Sequence, residues 1–446
     1  MTQATQNAFP PGPQGSTFAF IFGERRRDPL GFFTKIARDY GDVSTLQLFN
    51  FRTLFINHPD DIEDVLVNKA RSFEKGRVMK ANMRLFGEGL LTSEGDFWLR
   101  QRRLAQPAFH RARVAAYGAT MVEYAERAMR NWRPGETRDI HEDMMQITLQ
   151  IVGKTLFNAD LARDAREVGE TLEILLKLAA DFGKSILIPL WVPTPRNLRA
   201  RIGIRRLEKI IYRIIAQKRA EARDTGDLLS MLLGVQDEDG SRMTDKQLRD
   251  ETITLFLAGH ETTANALSWT LWLLAKNPNA EKKFREELDG VLGGRAPSVE
   301  DIPRLTYTSH ILSESMRLYP PAWGMARLVK EPVEVAGYKL VPGNGVACAQ
   351  WIVHRDPRWF DNPLKFIPER WENDLAKRLP RFAYFPFGGG PRQCIGNSFA
   401  LMEATLILAT VAQKFRFRLD EGHLVKPLAS ITLRPAHGIR ATLEAR

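Results

Sequence analysis

The stretch FPFGGGPRQCIGNSFA, Phe385–Ala400, sets one of the chain's two cysteines at the end of a glycine-rich loop, just ahead of an apolar helical pattern. Phe399, Leu401, Ala404, Leu406 and Leu408 fit one broad face of a helix. Cys394 is therefore predicted at or just before a helix N-terminus, where backbone amides favour a thiolate over a thiol. Gly388, Gly389 and Gly390 let the backbone lie flat and close against a partner, and Pro391 stiffens the approach. A lone thiolate on a rigid loop suits a nucleophile, a metal ligand or no role at all, and the choice falls to the rest of the chain.

The other cysteine, Cys348, lies in a strand-like segment and reads as a buried thiol. Two cysteines far apart in 446 residues argue against a disulfide framework and fit a reducing compartment. No apolar run reaches the ~18 residues of a membrane span, and the start MTQATQNAFPPGPQG is polar and then proline-rich. These features predict a cytoplasmic protein with a flexible N-terminal tail over residues 1–16. The net charge of +11 raises the question of nucleic acid. Zinc-finger spacing and basic-aromatic RNA motifs are absent, so no nucleic-acid partner is expected. Arginines do cluster at Arg100, Arg102, Arg103, Arg111 and Arg113, and again from Arg196 to Arg206. Such clusters are solvated faces or docking surfaces for an acidic protein.

DVSTLQLF and FRTLFIN read as two short strands, and from Asp60 to about Gly293 the pattern is helical, with breaks at WVPTPRN and QDEDGSR. Short strands return at EVAGYKLVPGNGVA and after Phe415. The expected fold is mainly α with small β-sheets, a single domain over 1–446 and a monomer. One helix stands out, from Asp245 to Lys276. Thr244 and Gln247 offer a capping box, and at 1.5 Å per residue the helix would run ~48 Å. Its centre, LFLAGHETTANALSW, is apolar on nearly all sides, yet Gly259, Glu261, Thr262 and Thr263 interrupt it. A mid-helix glycine costs ~1 kcal/mol relative to alanine, and a buried carboxylate costs more unless paired. Such a penalty marks a place where something other than protein packs.

Two lookalikes fail on specific residues. HETTA begins like a zinc-protease motif, but the second histidine position is Ala264. GGGPRQCIG lacks the glycine and lysine-serine positions of a phosphate loop. Four segments remain: AGHETT (Ala258–Thr263), ESMR (Glu314–Arg317), FIPERW (Phe366–Trp371) and FGGGPRQCIG (Phe387–Gly396). Their order and spacing resemble the cytochrome P-450 superfamily of heme-thiolate monooxygenases, over nearly the whole chain. The loop pattern Phe-x-x-Gly-x-Arg-x-Cys-x-Gly is complete.

The resemblance implies a heme b (iron protoporphyrin IX) held between the long distal helix and the helix after the cysteine loop. Cys394 is then the metal ligand, with Phe387 beside its sulfur and Gly388 and Gly396 shaping the loop under the porphyrin. A thiolate ligand favours O–O cleavage, and neighbouring N–H groups tune it. Trp98, Arg102, Arg327 and Arg392 are implied as propionate partners, and Arg100 and Arg103 as surface charges. Glu314, Arg317 and Arg370 form the family's buried structural cluster, in which stranding one charge is costly. On the oxygen side Ala258 and Gly259 lack bulk. Thr262 can bond the carbonyl of Ala258 and loosen the helix, and Thr262 with Glu261 is implied as the catalytic proton-delivery pair.

The implied reaction inserts one oxygen atom of O2 into a hydrophobic substrate and reduces the other to water. The chain has no nicotinamide or flavin fingerprint. Electrons from NAD(P)H would therefore come through a separate ferredoxin, flavodoxin or reductase, docked near Arg100, Arg103 and Arg111. The polar start implies a soluble bacterial-type member. A peroxide-driven or non-enzymatic heme protein is the alternative class, and neither needs the Glu261–Thr262 pair. By family position the substrate pocket takes in Met83, Phe86, Phe256, Ala322, Trp323, Met325 and Ile431. The pocket is largely apolar, and Arg77, Lys80 and Arg84 lie in the same segment as possible carboxylate partners. A medium- or long-chain fatty acid is the expected substrate, with a terpenoid, steroid or other bulky hydrocarbon as the alternative.

Overall fold

The computed structural model describes residues 9–13, 28–48, 51–158, 165–180, 191–221, 225–234, 236, 240 and 242–446. Apart from residues 9–13, the tail expected over 1–16 lies outside the described residues. Twelve longer helices are seen among them: α1 Pro29–Tyr40, α2 Arg77–Phe86, α3 Gly95–Ala105, α4 Gly118–Met129, α5 Ile140–Phe157 and α6 Ala165–Ala180, then α7 Pro195–Glu221, α8 Leu228–Gly234, α9 Asp245–Lys276, α10 Pro278–Leu292, α11 Thr306–Leu318 and α12 Asn397–Ala412. Helices dominate and the strands fall into small separate sheets, as the sequence predicts. Among the described residues no helix is long and apolar enough to cross a membrane.

The chain divides into two compact units that interleave in sequence. The first comprises Met1–Lys80, Met316–Phe366 and Arg370–Cys394. Its main sheet is built from β1 (Val43–Leu48), β2 (Phe51–Ile56), β3 (Phe73–Lys75), β5 (Met325–Val329) and β8 (Gly345–Cys348), in the order β1-β2-β8-β5-β3. β1 and β2 form the hairpin read from DVSTLQLF and FRTLFIN, with Leu48 opposite Phe51. In β2, Leu54 and Ile56 enter one apolar cluster while Phe55 enters another with Ile36 and Leu46. The strand's period of two therefore feeds both faces of a covered sheet. A small hairpin, β6 (Val333–Val335) with β7 (Tyr338–Leu340), completes the unit's strands.

The second unit comprises Ala81–Ser315, Ile367–Glu369 and Ile395–Arg446. α9 runs from Asp245 to Lys276 as predicted, and its capping box is formed: the Thr244 hydroxyl accepts from Gln247 N, and the Gln247 side chain accepts from Thr244 N. Most of its length is buried. α5 packs along it, and the ring of Phe157 stacks on that of Phe256 at 4.3 Å. α12 is buried almost all round from Met402 to Ala412 rather than on one face, and Leu401, expected on that face, is exposed. Apolar surface buried at about 25 cal/mol per Å² is what holds such a helix inside. The unit's strands form one sheet of β4 (Thr137–Asp139), β12 (Arg440–Ala445) and β9 (Phe415–Leu419), and a hairpin of β10 (Pro427–Ala429) and β11 (Leu433–Pro435).

Candidate functional site

The cysteine loop owes its path to contacts that exclude side chains. A Cβ on Gly390 (φ +65°) would sit 1.8 Å from the carbonyl oxygen of Leu66, and one on Gly389 would sit 2.4 Å from the ring of Phe382. Gly388 takes a left-handed φ of +69°. The N–H of Cys394 donates to the carbonyl of Phe387 at 3.0 Å, which closes the loop and leaves the cysteine exposed three residues before α12 begins. Cys348 is the opposite case: it is buried in β8, and burial pushes its thiol up to about 12. Of the two cysteines, only Cys394 is exposed.

One buried histidine anchors the approach to this loop. His354 accepts at Nε2 from the N–H of Phe385 at 3.0 Å, which requires a neutral ring with its proton on Nδ1. Burial, then the positive charges of Arg317 and Arg355, hold its pKa well below the usual imidazole range. Arg317, fully buried, donates to the carbonyls of His354, Pro363 and Lys365 at 2.8, 2.7 and 3.1 Å. Arg370 donates to those of Asp361 and Asn362. In the other unit Glu314 Oε1 accepts from Ile367 N at 3.0 Å. Each of the three expected cluster residues thus grips backbone within residues 354–367.

On α9 the 100° step between residues separates neighbours that the sequence groups together. Ala258 is exposed in the middle of α9, where every other residue from Gln247 to Ala275 is buried or half-buried, and Thr262, one turn on, is half-buried on the same side. The Thr262 hydroxyl donates to the Ala258 carbonyl at 2.7 Å, the bond anticipated from the spacing. Gly259 turns the other way: a Cβ there would lie 3.0 Å from Val152 of α5, so its missing side chain serves helix packing rather than an oxygen site. His260 is also on the packed side. Its carbonyl accepts from Thr148 and its Nδ1 bonds the Phe256 carbonyl, and burial lowers its pKa to about 4. Glu261 is almost wholly buried; its Oε1 accepts from the hydroxyl of Thr432 at 2.7 Å, and Thr432 in turn accepts from Asn265. Thr432 was not foreseen as Glu261's partner, because 171 residues separate them.

Trp98 and Arg102 lie four apart on α3, buried and half-buried, while Arg103 is exposed. Arg327 on β5 and Arg392 just before the cysteine are half-buried in the first unit. Of the expected pocket residues, Ala322 is exposed and Met83, Trp323, Met325 and Ile431 are half-buried. Phe86 and Phe256 are fully buried and offer no surface to a ligand. The basic residues of the same segment are engaged. Arg77 lies 3.7 Å over the ring of Phe51 and donates to the Gly343 carbonyl, and Lys80 pairs with Glu74 at 2.5 Å. The Arg84 side chain lies outside the described residues.

Each unit by itself carries a feature that fits a heme protein: in the first an exposed cysteine on a rigid glycine loop, and in the second an exposed methyl beside a hydroxyl in the buried middle of α9. The family profile described as Cytochrome P450 matches residues 10–439. The chain is 39% identical to cyclooctatin synthase of Streptomyces melanosporofaciens, over 91% of this chain and 89% of that one. It is 36% identical to cyclooctat-9-en-7-ol 5-monooxygenase of the same organism, over 88% and 86%. Identity to pentalenene oxygenase of Streptomyces avermitilis is 33%, over 94% of each chain. Fold, loop, helix and relatives converge, and the chain belongs to the cytochrome P450 family of heme monooxygenases, which use O2 and electrons delivered by a redox partner.

Proposed function

We propose that this enzyme hydroxylates a bulky cyclic terpenoid hydrocarbon or alcohol, with Cys394 as the iron ligand. The names of the relatives carry this reading: pentalenene is an alkene and cyclooctat-9-en-7-ol an alcohol, and neither is named as an acid. The engagement of Arg77 and Lys80 by protein partners supports it, because a fatty acid would need a cation for its carboxylate. The terpenoid alternative therefore replaces the fatty acid expected from the sequence.

Bound heme supplies the oxidising chemistry. The protein's part is to hold, exclude and deliver. Cys394 binds through Sγ, on a loop that Gly389, Gly390 and His354 keep in one position. Trp98, Arg102, Arg327 and Arg392 would hold the propionates. Ala258 leaves room for oxygen and substrate, and half-buried Met83, Met325 and Ile431 shield the reacting carbon from water. Thr262 presents its hydroxyl oxygen beside Ala258 while its proton is shared with that carbonyl. Glu261 holds a carboxyl group one residue away, steadied by Thr432, that would relay protons from solvent toward that hydroxyl. The exposed Arg103 and Arg111 suit an acidic redox partner.

The test is a titration followed by the heme's spin-state absorbance, with a cyclic diterpene alcohol, a sesquiterpene hydrocarbon, and fatty acids with their methyl esters. The terpenes should shift the spin state at micromolar concentration and give hydroxylated products with reductase and NAD(P)H. A shift with fatty acids and none with any terpene overturns the reading.

A further inference from the structure

Residues 87–90, Gly-Glu-Gly-Leu, lie directly on the first half of α9. A Cβ on Gly87 would sit 2.2 Å from the Asp250 carboxyl, and one on Gly89 would sit 2.2 Å from the hydroxyl of Thr254. Two consecutive acids of α9 hold this loop by its backbone. Asp250 Oδ2 accepts from Glu88 N at 3.0 Å, and Glu251 Oε2 accepts from Leu90 N at 3.0 Å. The loop also closes on itself, as the Thr92 hydroxyl and the N–H groups of Thr92 and Ser93 donate to the carbonyls of Gly87 and Gly89. The two acids are not equivalent. Asp250 meets cations, Lys246 at 3.1 Å and Arg249 at 2.5 Å, and these also reach Glu88 and Glu208. Among the described residues Glu251, 1% exposed, is held only by Leu90 N, and its Oε1 is buried with no partner there.

A buried carboxylate without a cation is too costly to keep charged for a purely packing role, where leucine or glutamine would serve. Its use lies in the amide it holds. We propose that Asp250 and Glu251 form a clasp that fixes residues 87–91, and that Glu251 is thereby a positioning residue for the wall that the Met79–Leu90 segment gives to the substrate pocket. The proposal rests on the hydrophobic-substrate reading above, since that reading makes this segment a pocket wall.

The clasp also loosens as pH rises. Burial, with the neighbouring Asp250 charge adding to it, raises the Glu251 carboxyl to about 8. A raised acid keeps its neutral form below that pH. Water entry that releases Leu90 also restores the ordinary carboxyl pKa of 4.5, so opening gains from ionisation as pH rises from about 4.5 to about 8 and gains no more above it. Among the described residues, the other charged groups at this end of α9 are Asp250, Lys246, Arg249, Glu88 and Glu208, with Asp245 and Arg219 paired at its first residue.

Amide hydrogen exchange on the heme-loaded protein tests this without any substrate. In the wild type, exchange at residues 88–91 should accelerate beyond its intrinsic pH dependence between about pH 4.5 and about pH 8, and follow only the intrinsic dependence above that. Glu251→Gln, which keeps an acceptor but cannot titrate, should abolish that extra acceleration. Glu251→Leu should exchange about tenfold faster there at every pH. In the same Leu variant, cyclic terpene affinity by spin-state titration should weaken several-fold while the heme-thiolate spectrum is unchanged. Wild-type exchange in Glu251→Leu overturns the clasp, and looser exchange with unaltered terpene affinity overturns Glu251's positioning role. Should Glu251→Leu fail to fold, the wild-type and Glu251→Gln pH series decides alone. Should no terpene bind even the wild type, the substrate reading fails, and the exchange series still decides the clasp.

Discussion

Thr262 and His260 are two residues apart on α9 and do different work. The Thr262 hydroxyl shares its proton with the Ala258 carbonyl on the exposed side, whereas His260 is buried and neutral against α5. Thr262→Ala should still bind heme and substrate and still consume NAD(P)H. Its product per NAD(P)H should fall several-fold with matching release of peroxide, because proton delivery of this kind contributes roughly 10²–10⁴ in rate. Unchanged coupling in that variant would reduce Thr262 to a packing residue. For His260 the folded pKa of about 4 lies below the ordinary 6.5. The unfolded chain therefore binds the proton first. Its contribution to stability is complete above pH 6.5 and is lost as pH falls toward 4, roughly 3 kcal/mol over that window. The urea midpoint of the holoprotein should drop from pH 7 to pH 5, and drop less in His260→Asn. An equal drop in both proteins would assign the acid sensitivity elsewhere, for instance to His354.

Among the elements, α9 and α5 are fitted to each other at Gly259. The 3.0 Å gap between a Cβ there and Val152 is tighter than ordinary contact. Gly259→Val should therefore destabilise by about 1–3 kcal/mol, as overpacking does, and Val152→Ala should recover part of the loss in the double variant. Equal stability of Gly259→Val and wild type, measured by thermal unfolding of the holoprotein, would remove the packing explanation for this glycine. The same gap corrects a sequence expectation. A small residue in AGHETT reads as room for oxygen, yet only Ala258 faces outward; Gly259 faces a neighbouring helix that the motif does not reveal.

Across the whole molecule, what could be read early was whatever is local. α9 with its capping box, the β1–β2 hairpin, the exposed Cys394 against the buried Cys348, and the Thr262–Ala258 bond all follow from residues within a few positions of one another. What could not be read was long-range. Glu261 meets Thr432 across 171 positions, Glu251 meets Leu90 across 161, and His354 meets Phe385 across 31. The paired acids Asp250–Glu251 in an apolar helix, opposite a Gly-x-Gly loop, were the available signal for the clasp. The proposal of a terpenoid over a fatty acid has a related reason. Arg77 and Lys80 looked available to a carboxylate until Phe51, Gly343 and Glu74 were seen to engage them.

The account turns on a thiolate at Cys394. The direct measurement is the absorbance difference between the reduced protein with and without carbon monoxide, taken for wild type, Cys394→Ser and Cys348→Ser. Wild type and Cys348→Ser should show the red-shifted Soret band of a thiolate-ligated heme, and Cys394→Ser should lose it. Retention of that band in a folded Cys394→Ser protein, or its loss in a folded Cys348→Ser protein, would contradict the account.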